Sequence, residues 1–344
     1  MLAPPNIVSI RPRAIANWLL AVAGLVFVMI VIGGITRLTE SGLSITRWDP
    51  VAGAIPPLNE ADWQRAFDLY RESPQYQQVN RGMTLADFKF IFFWEYIHRL
   101  LGRVIGVAFA LPLAWFAWKR AIPRGYGWKL AALLVLGGLQ GAIGWWMVAS
   151  GLVDRPEVSH IRLAVHLLMA FAIFGLLIWV AMDLRALIRS PVARPARIGL
   201  TAIWALSVLA VQMLFGAYVA GLEAGYAFNT WPLMGEELYP AKAPWMEPFL
   251  RNFVDNPITV QFVHRWLAMV TGVVIGLLAW RAWGAGMRRS AFVLAGAVVF
   301  QIVLGIATIM SGVQIWIGVA HQAMAALLLA AVLATAHRLG ERPA

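Results

Sequence analysis

Four histidines carry most of the chemistry open to this chain: His98, His166, His264 and His321. Each falls a turn or two inside an apolar stretch long enough to cross a bilayer. An ionisable side chain in such a place is expensive and marks function. One histidine alone is as readily explained by a hydrogen bond to a neighbouring helix, but four at matched depth are not. His160, in a loop, and His337, at a span end, are expected to face solvent or headgroups instead. The 344 residues include no cysteine, which excludes disulfides, thiolate metal sites, iron–sulfur clusters and covalent haem attachment. A metal or redox cofactor must therefore use His, Met or oxygen ligands.

The elements that position these residues are membrane spans. Hydrophobic residues make up 60% of the chain and charged ones 13%, against about 25% charged in soluble domains. Eight blocks reach the length of about 20 residues that a spanning helix needs: approximately 17–36, 91–118, 130–150, 163–182, 199–222, 259–280, 291–310 and 314–335. The first is too long, and lacks the small-residue cleavage site, for a removable signal peptide. No Arg/Ser-rich presequence is visible, so a bacterial inner membrane is expected rather than an organelle.

The net charge of +11 is a topology signal, not a nucleic-acid one. Arg11, Arg13, Lys119, Arg120, Arg124, Lys129, Arg185, Arg189, Arg194, Arg197, Arg281, Arg288, Arg289, Arg338 and Arg342 lie at alternate ends of the spans, where Asp183 and Glu341 are the only acids. The remaining acids fall on the other side or just within helices entering from it. This positive-inside bias puts both termini in the cytoplasm and makes the lipid bilayer the partner of the basic residues.

An internal repeat divides the chain. Glu95-Tyr-Ile-His-Arg-Leu-Leu-Gly-Arg-Val-Ile-Gly106 aligns with Gln261-Phe-Val-His-Arg-Trp-Leu-Ala-Met-Val-Thr-Gly272. Gln140, Gly144, Ser150 and Gly151 match Gln301, Gly305, Ser311 and Gly312, after which His166 falls opposite His321. Upstream, Gly33, Glu40, Gly42 and Trp48 match Gly216, Glu223, Gly225 and Trp231 at one constant offset. The expected fold is all-α: a polytopic membrane protein of eight transmembrane helices, arranged as two tandem four-helix bundles. Four helices per unit make both units enter the membrane in the same direction, so the repeat is parallel and its pseudo-twofold axis lies along the membrane normal. The units are 1–183 and 199–344, and 184–198, with Pro191 and Pro195 among arginines, is a cytoplasmic linker. Within the long loop 38–90, residues 61–72 alternate at helical spacing and predict a short interfacial helix on the outer surface; loop 222–258 holds the equivalent place.

With the amino terminus inside, all four histidines sit at the outer side. A zinc ion would need four ligands converging on one point, or three and a water. The repeat suggests two sites instead, each with two imidazoles on alternate helices, which suits the axial positions of a haem iron. Gly33, Gly34, Gly102, Gly106, Gly137, Gly138, Gly141 and Gly144 permit a flat ligand or close helix packing. Arg99, Arg265 and, less directly, Arg37 are candidates to pair with haem propionates, since guanidinium grips carboxylates bidentately; snorkelling to the interface is the alternative. Glu95 shares a helix face with His98 and is replaced by Gln261 in the second half. A carboxylate there relays protons or stabilises a developing cation, or forms an i,i+4 ion pair with Arg99. An amide does no acid–base work, so the first half is expected to perform chemistry and the second to hold a permanent cofactor.

These residues resemble the haem A synthases of cytochrome oxidase assembly. The similarity is carried by Gly33-Gly-Ile-Thr-Arg-Leu-Thr-Glu-Ser-Gly-Leu-Ser44, Glu95-Tyr-Ile-His-Arg-Leu-Leu-Gly-Arg103, Gln140-Gly-Ala-Ile-Gly-Trp-Trp-Met-Val-Ala-Ser-Gly151 and Phe262-Val-His-Arg-Trp266, and spans all eight helices. The resemblance implies that His98 and His166 belong to the site where haem O is converted, with Glu95 as the essential acid. It implies that His264 and His321 bind a haem b that passes electrons. The implied reaction oxidises the C8 methyl of haem O to a formyl group, giving haem A, and the implied partners are a haem O synthase, oxidase assembly factors and an electron donor the sequence does not name. The absence of cysteine matches the branch without a loop disulfide. A homo-oligomer stays open, because lipid-facing and subunit-facing surfaces have similar compositions. On the residues alone, a di-haem b-type electron carrier of quinol oxidoreductase kind is the rival, and a transporter the non-enzyme alternative.

Overall fold

A computed structural model describes residues 10–47, 52–153 and 155–341. Trp48 and Arg342, which entered the repeat and charge readings, lie outside the described residues. Among those described, regular structure is helical apart from one isolated bridge. Eight long helices fill the expected spans: α1 (Pro12–Leu38), α4 (Leu85–Trp118), α5 (Gly127–Val148), α6 (His160–Arg189), α7 (Leu200–Gly221), α9 (Pro257–Gly284), α10 (Arg288–Met310) and α11 (Ile315–Gly340). Three short ones, α2 (Glu60–Arg71), α3 (Pro74–Gln78) and α8 (Asn252–Asp255), lie in the loops. The chain is a multi-pass membrane protein.

Local chemistry fixes the helix ends. Thr84 and Asp87 form a reciprocal capping box that starts α4, and the Asn256 side chain accepts from the Ile258 and Thr259 amides to start α9. These caps carry α4 six residues beyond the apolar block. His98 therefore lies nearly four turns into its helix, whereas His166, His264 and His321 lie about two turns into theirs. The extra turns of α4 dock α2. Phe67 and Tyr70 of α2 pack on Phe88 and Phe92, so the apolar face of this helix, expected to meet lipid, is covered by protein. Burial pushes the Tyr70 phenol up to about 12, which keeps its proton in place to donate to Gln75. Further down α4, Pro112 has no N–H for the carbonyl of Ala108, and the Trp18 indole of α1 donates to that carbonyl at 2.8 Å. α6 continues six residues into the stretch read as linker and ends only at Arg189.

One unit packs α1, α4, α5 and α6 around one another, the other α7, α9, α10 and α11, and they meet through α1, α6, α7 and α11. The main core cluster lies beyond the histidines, toward the end of the spans that holds the two termini. On α4 it begins at Phe109, on α6 at Phe171, on α9 at Ile275 and on α11 at Ala326. Side chains interdigitate there, while the level of the histidines is only half-buried.

Candidate haem-binding sites

Each histidine ring meets a glycine on a neighbouring helix, its Cε1 atom nearest. A Cβ on Gly33 would stand 3.1 Å from His98 Cε1, on Gly144 2.9 Å from His166, on Gly216 3.0 Å from His264, and on Gly305 2.9 Å from His321. Any side chain at these four positions would push the ring away. The seats belong to α1, α5, α7 and α10, so every histidine of α4, α6, α9 and α11 has its own partner helix.

Three of the rings are also held by a glutamine one helical turn before the seat. Gln140 Nε2 lies 3.2 Å from His166 Nδ1, Gln212 Nε2 3.1 Å from His264 Nδ1, and Gln301 Nε2 3.2 Å from His321 Nδ1. Each amide also donates to the backbone carbonyl of the same histidine, at 3.1–3.2 Å. Which amide end faces Nδ1 follows the ring proton, and the three Oε1 atoms have no other partner. Gln212 was not singled out from the sequence, although Gln four residues before Gly recurs in α5, α7 and α10 and was the available signal. A metal on Nε2 puts the ring proton on Nδ1, so the glutamine then accepts it with Oε1 and gives up the bond from Nε2 to the backbone carbonyl. His98 differs: its Nδ1 is buried without a partner.

The spacing of the second pair leaves room for an iron between two imidazoles. The rings of His264 and His321 have centroids 6.4 Å apart and planes at 88°. Two metal–imidazole bonds of about 2 Å, plus the distance from each nitrogen to its ring centre, span about 6 Å. A tetrahedral zinc centre does not fit, because among the described residues no three His, Asp or Glu side chains converge on one point.

Glu95 and Arg99 turn inward to a loop. Glu95 Oε2 accepts from Ser44 Oγ at 2.7 Å and the Ile45 amide at 2.8 Å, and Oε1 pairs with Arg99 at 2.6 Å. Arg99 donates to the carbonyls of Ile45 and Arg47 at 2.8 and 3.1 Å. In the second unit Arg265 donates to Phe228 and Thr230 at 2.8 and 2.7 Å and to Leu233 at 3.2 Å, and Gln261 donates to Phe228 at 3.0 Å. Ile45 and Arg47 align with Phe228 and Thr230 at the offset seen in the sequence. The same two positions of α4 and α9 thus latch the loop after the first helix of each unit. Arg37 reaches across the units instead, donating to the Ala220 carbonyl at 2.9 Å and pairing with Glu223 at 3.1 Å.

The two histidines expected in solvent are not there. His337 is fully buried, 2.9 Å from Asp183, with the Trp179 ring edge-on to it. Asp183 is buried too, and pairs with Lys129 at 3.3 Å and accepts from the Ala196 amide at 3.2 Å, which ties the linker to α6 and α11. His160 is the first residue of α6, pairs with Asp255 at 3.1 Å and packs so closely on Gly221 that a Cβ there would meet it at 2.6 Å. Hydropathy read both as peripheral because their acidic partners are remote in sequence.

A bundle of eight spans that seats four histidines against glycines defines a polytopic membrane protein with candidate cofactor sites inside the bundle. The chain belongs to the cytochrome oxidase assembly protein family, whose profile matches residues 16–333. It is similar to a protein named heme A synthase from Rhizorhabdus wittichii, 55% identical over 98% of both chains. Heme A synthases from Sphingopyxis alaskensis and Rhodospirillum centenum are 52% and 50% identical, over 98% of this chain and 95% and 91% of theirs.

Proposed function

We propose that the chain is a haem A synthase that oxidises the C8 methyl group of haem O to a formyl group. The observation that carries this reading is the pairing of four glycine-seated histidines in a chain similar to heme A synthases over nearly its whole length. His98 and His166 would hold haem O as substrate, and His264 and His321 a resident haem b. The bound irons supply the redox chemistry, which no side chain can. Glu95 places a carboxyl group one turn before His98 and is the proton acceptor at its Oε2, where the Ser44 hydroxyl is the adjacent exchangeable proton. Arg99 keeps that carboxylate in place. Arg265 retains a buried Nε with no partner, and Arg37 likewise, as donors for a propionate. Basic residues at one end of the spans support cytoplasmic termini in a bacterial inner membrane and haem sites toward the periplasmic side.

Co-expression with a haem O synthase, followed by chromatography of the extracted haems, tests the reading. Haem A is expected from the wild-type chain and not from His98→Ala, while His264→Ala lowers the haem b content. A purified protein without a Soret band would sink the proposal, and haem A formation by His98→Ala would undo the assignment of the first site.

A further inference from the structure

Three histidines are fixed by glutamine and one is not, and the residue in the vacant place is Met29. Gln212 stands four residues before the seat Gly216, and Met29 four residues before the seat Gly33. The Met29 methyl lies over α4 one turn beyond His98, where a Cβ on Gly102 would meet it at 3.6 Å. Its thioether is a weak acceptor and no donor, and the His98 Nδ1 has no partner. A metal-bound imidazole without a hydrogen bond at its second nitrogen is less basic and freer to turn. We propose that Met29 makes His98 the exchangeable iron ligand, the one that lets go so that a haem can enter and leave the first unit, while Gln212, Gln301 and Gln140 act as positioning residues that keep the other three rings in place. The inference rests on the haem reading above and adds to it which of four ligands releases, and why.

The test is haem release. Purified protein, with its haem content first measured as the pyridine haemochrome, is mixed with excess apomyoglobin, and transfer is followed in the Soret band. Wild-type protein is expected to lose haem in a fast and a slow phase. Met29→Gln should slow the fast phase on the order of 10- to 100-fold, the usual worth of a partner to a metal-bound histidine. Gln212→Met should make the slow phase faster by a similar factor. The low-spin ferric electron paramagnetic resonance spectrum should shift with each variant, a change that packing alone would not cause. Unchanged release from Met29→Gln at wild-type haem content would overturn the proposal and leave the haem reading intact; protein that holds no haem would remove both. Should Met29→Gln fail to assemble, Gln212→Met decides alone, and slow release from it overturns the proposal.

Discussion

In the second unit α9 and α10 run in contact along much of their length, and a Cβ on Gly272 would meet Ile302 at 3.2 Å. In the first unit α4 touches α5 over far less, and a Cβ on Gly106, the counterpart of Gly272, would meet nothing within 4 Å. The half with the looser seam is also the half with the unheld histidine and the carboxylate. The loop latches repeat this asymmetry in a different chemistry: Glu95 accepts hydrogen bonds from its loop, whereas Gln261 donates to its own. Two units can share helices, glycine seats and a latch, and differ in how tightly they enclose what lies between. The closed unit suits a group that stays, the open one a group that exchanges.

The largest effect should come from exchanging the latch residues. Glu95→Gln gives the first unit the residue of the second and removes the proton acceptor, while an amide oxygen still accepts from the Ile45 amide. Haem A formation is expected to fall about 10²- to 10⁴-fold, with total haem content unchanged. Gln261→Glu is expected to change product yield less than about twofold. Equal losses from the two, measured by chromatography of extracted haems, would mean that both acts are structural and that the units do not divide the work.

A smaller effect should separate the four glycine seats. Gly144→Ala and Gly305→Ala place a methyl 2.9 Å from a ring that glutamine prevents from yielding. Haem occupancy of the affected site should fall on the order of 10-fold. Gly33→Ala meets His98 at 3.1 Å, and with no partner on Nδ1 that ring can turn aside, so the loss should be the mildest of the set. Haem titration of the purified variants gives the ranking, and a Gly33→Ala loss equal to the other two would contradict a mobile His98.

The spans, the helix in the first long loop and the placing of the four histidines on alternate spans were legible because each is a local pattern: apolar length, amphipathic spacing, repeated motif. What was hidden depends on contacts between helices far apart in the chain. Gln140 and Gln301 were visible as repeat matches, but only the packing of α5 on α6 and α10 on α11 shows that they hold a ring. Met29 carries no motif at all, and its meaning comes from the glutamine it replaces. His337 was misplaced for the same reason, since Asp183 lies on another span. The ends of α4 and α6 were missed because caps and charged turns extend a helix past its hydrocarbon stretch.

The smallest effect concerns an ion pair between the units, at the histidine end of the spans, that breaks the repeat. Arg37 aligns with Ala220, so the guanidinium that reaches Glu223 has no counterpart returning from the second unit. The side chains of the pair are 20% and 35% exposed, and solvent screens it. Its coupling should be below about 1 kcal/mol. A double-mutant cycle with Arg37→Met and Glu223→Gln, read by thermal unfolding in detergent, measures it, and single variants should shift the midpoint by no more than a few degrees. The Ala220 carbonyl is lost to Arg37→Met but not to Glu223→Gln, so the arginine variant should be the less stable. A coupling several times larger would mean that the two units act as one rigid body at the level of the histidines. The looser first unit would then owe its openness to the α4–α5 seam alone, and not to any freedom against its neighbour.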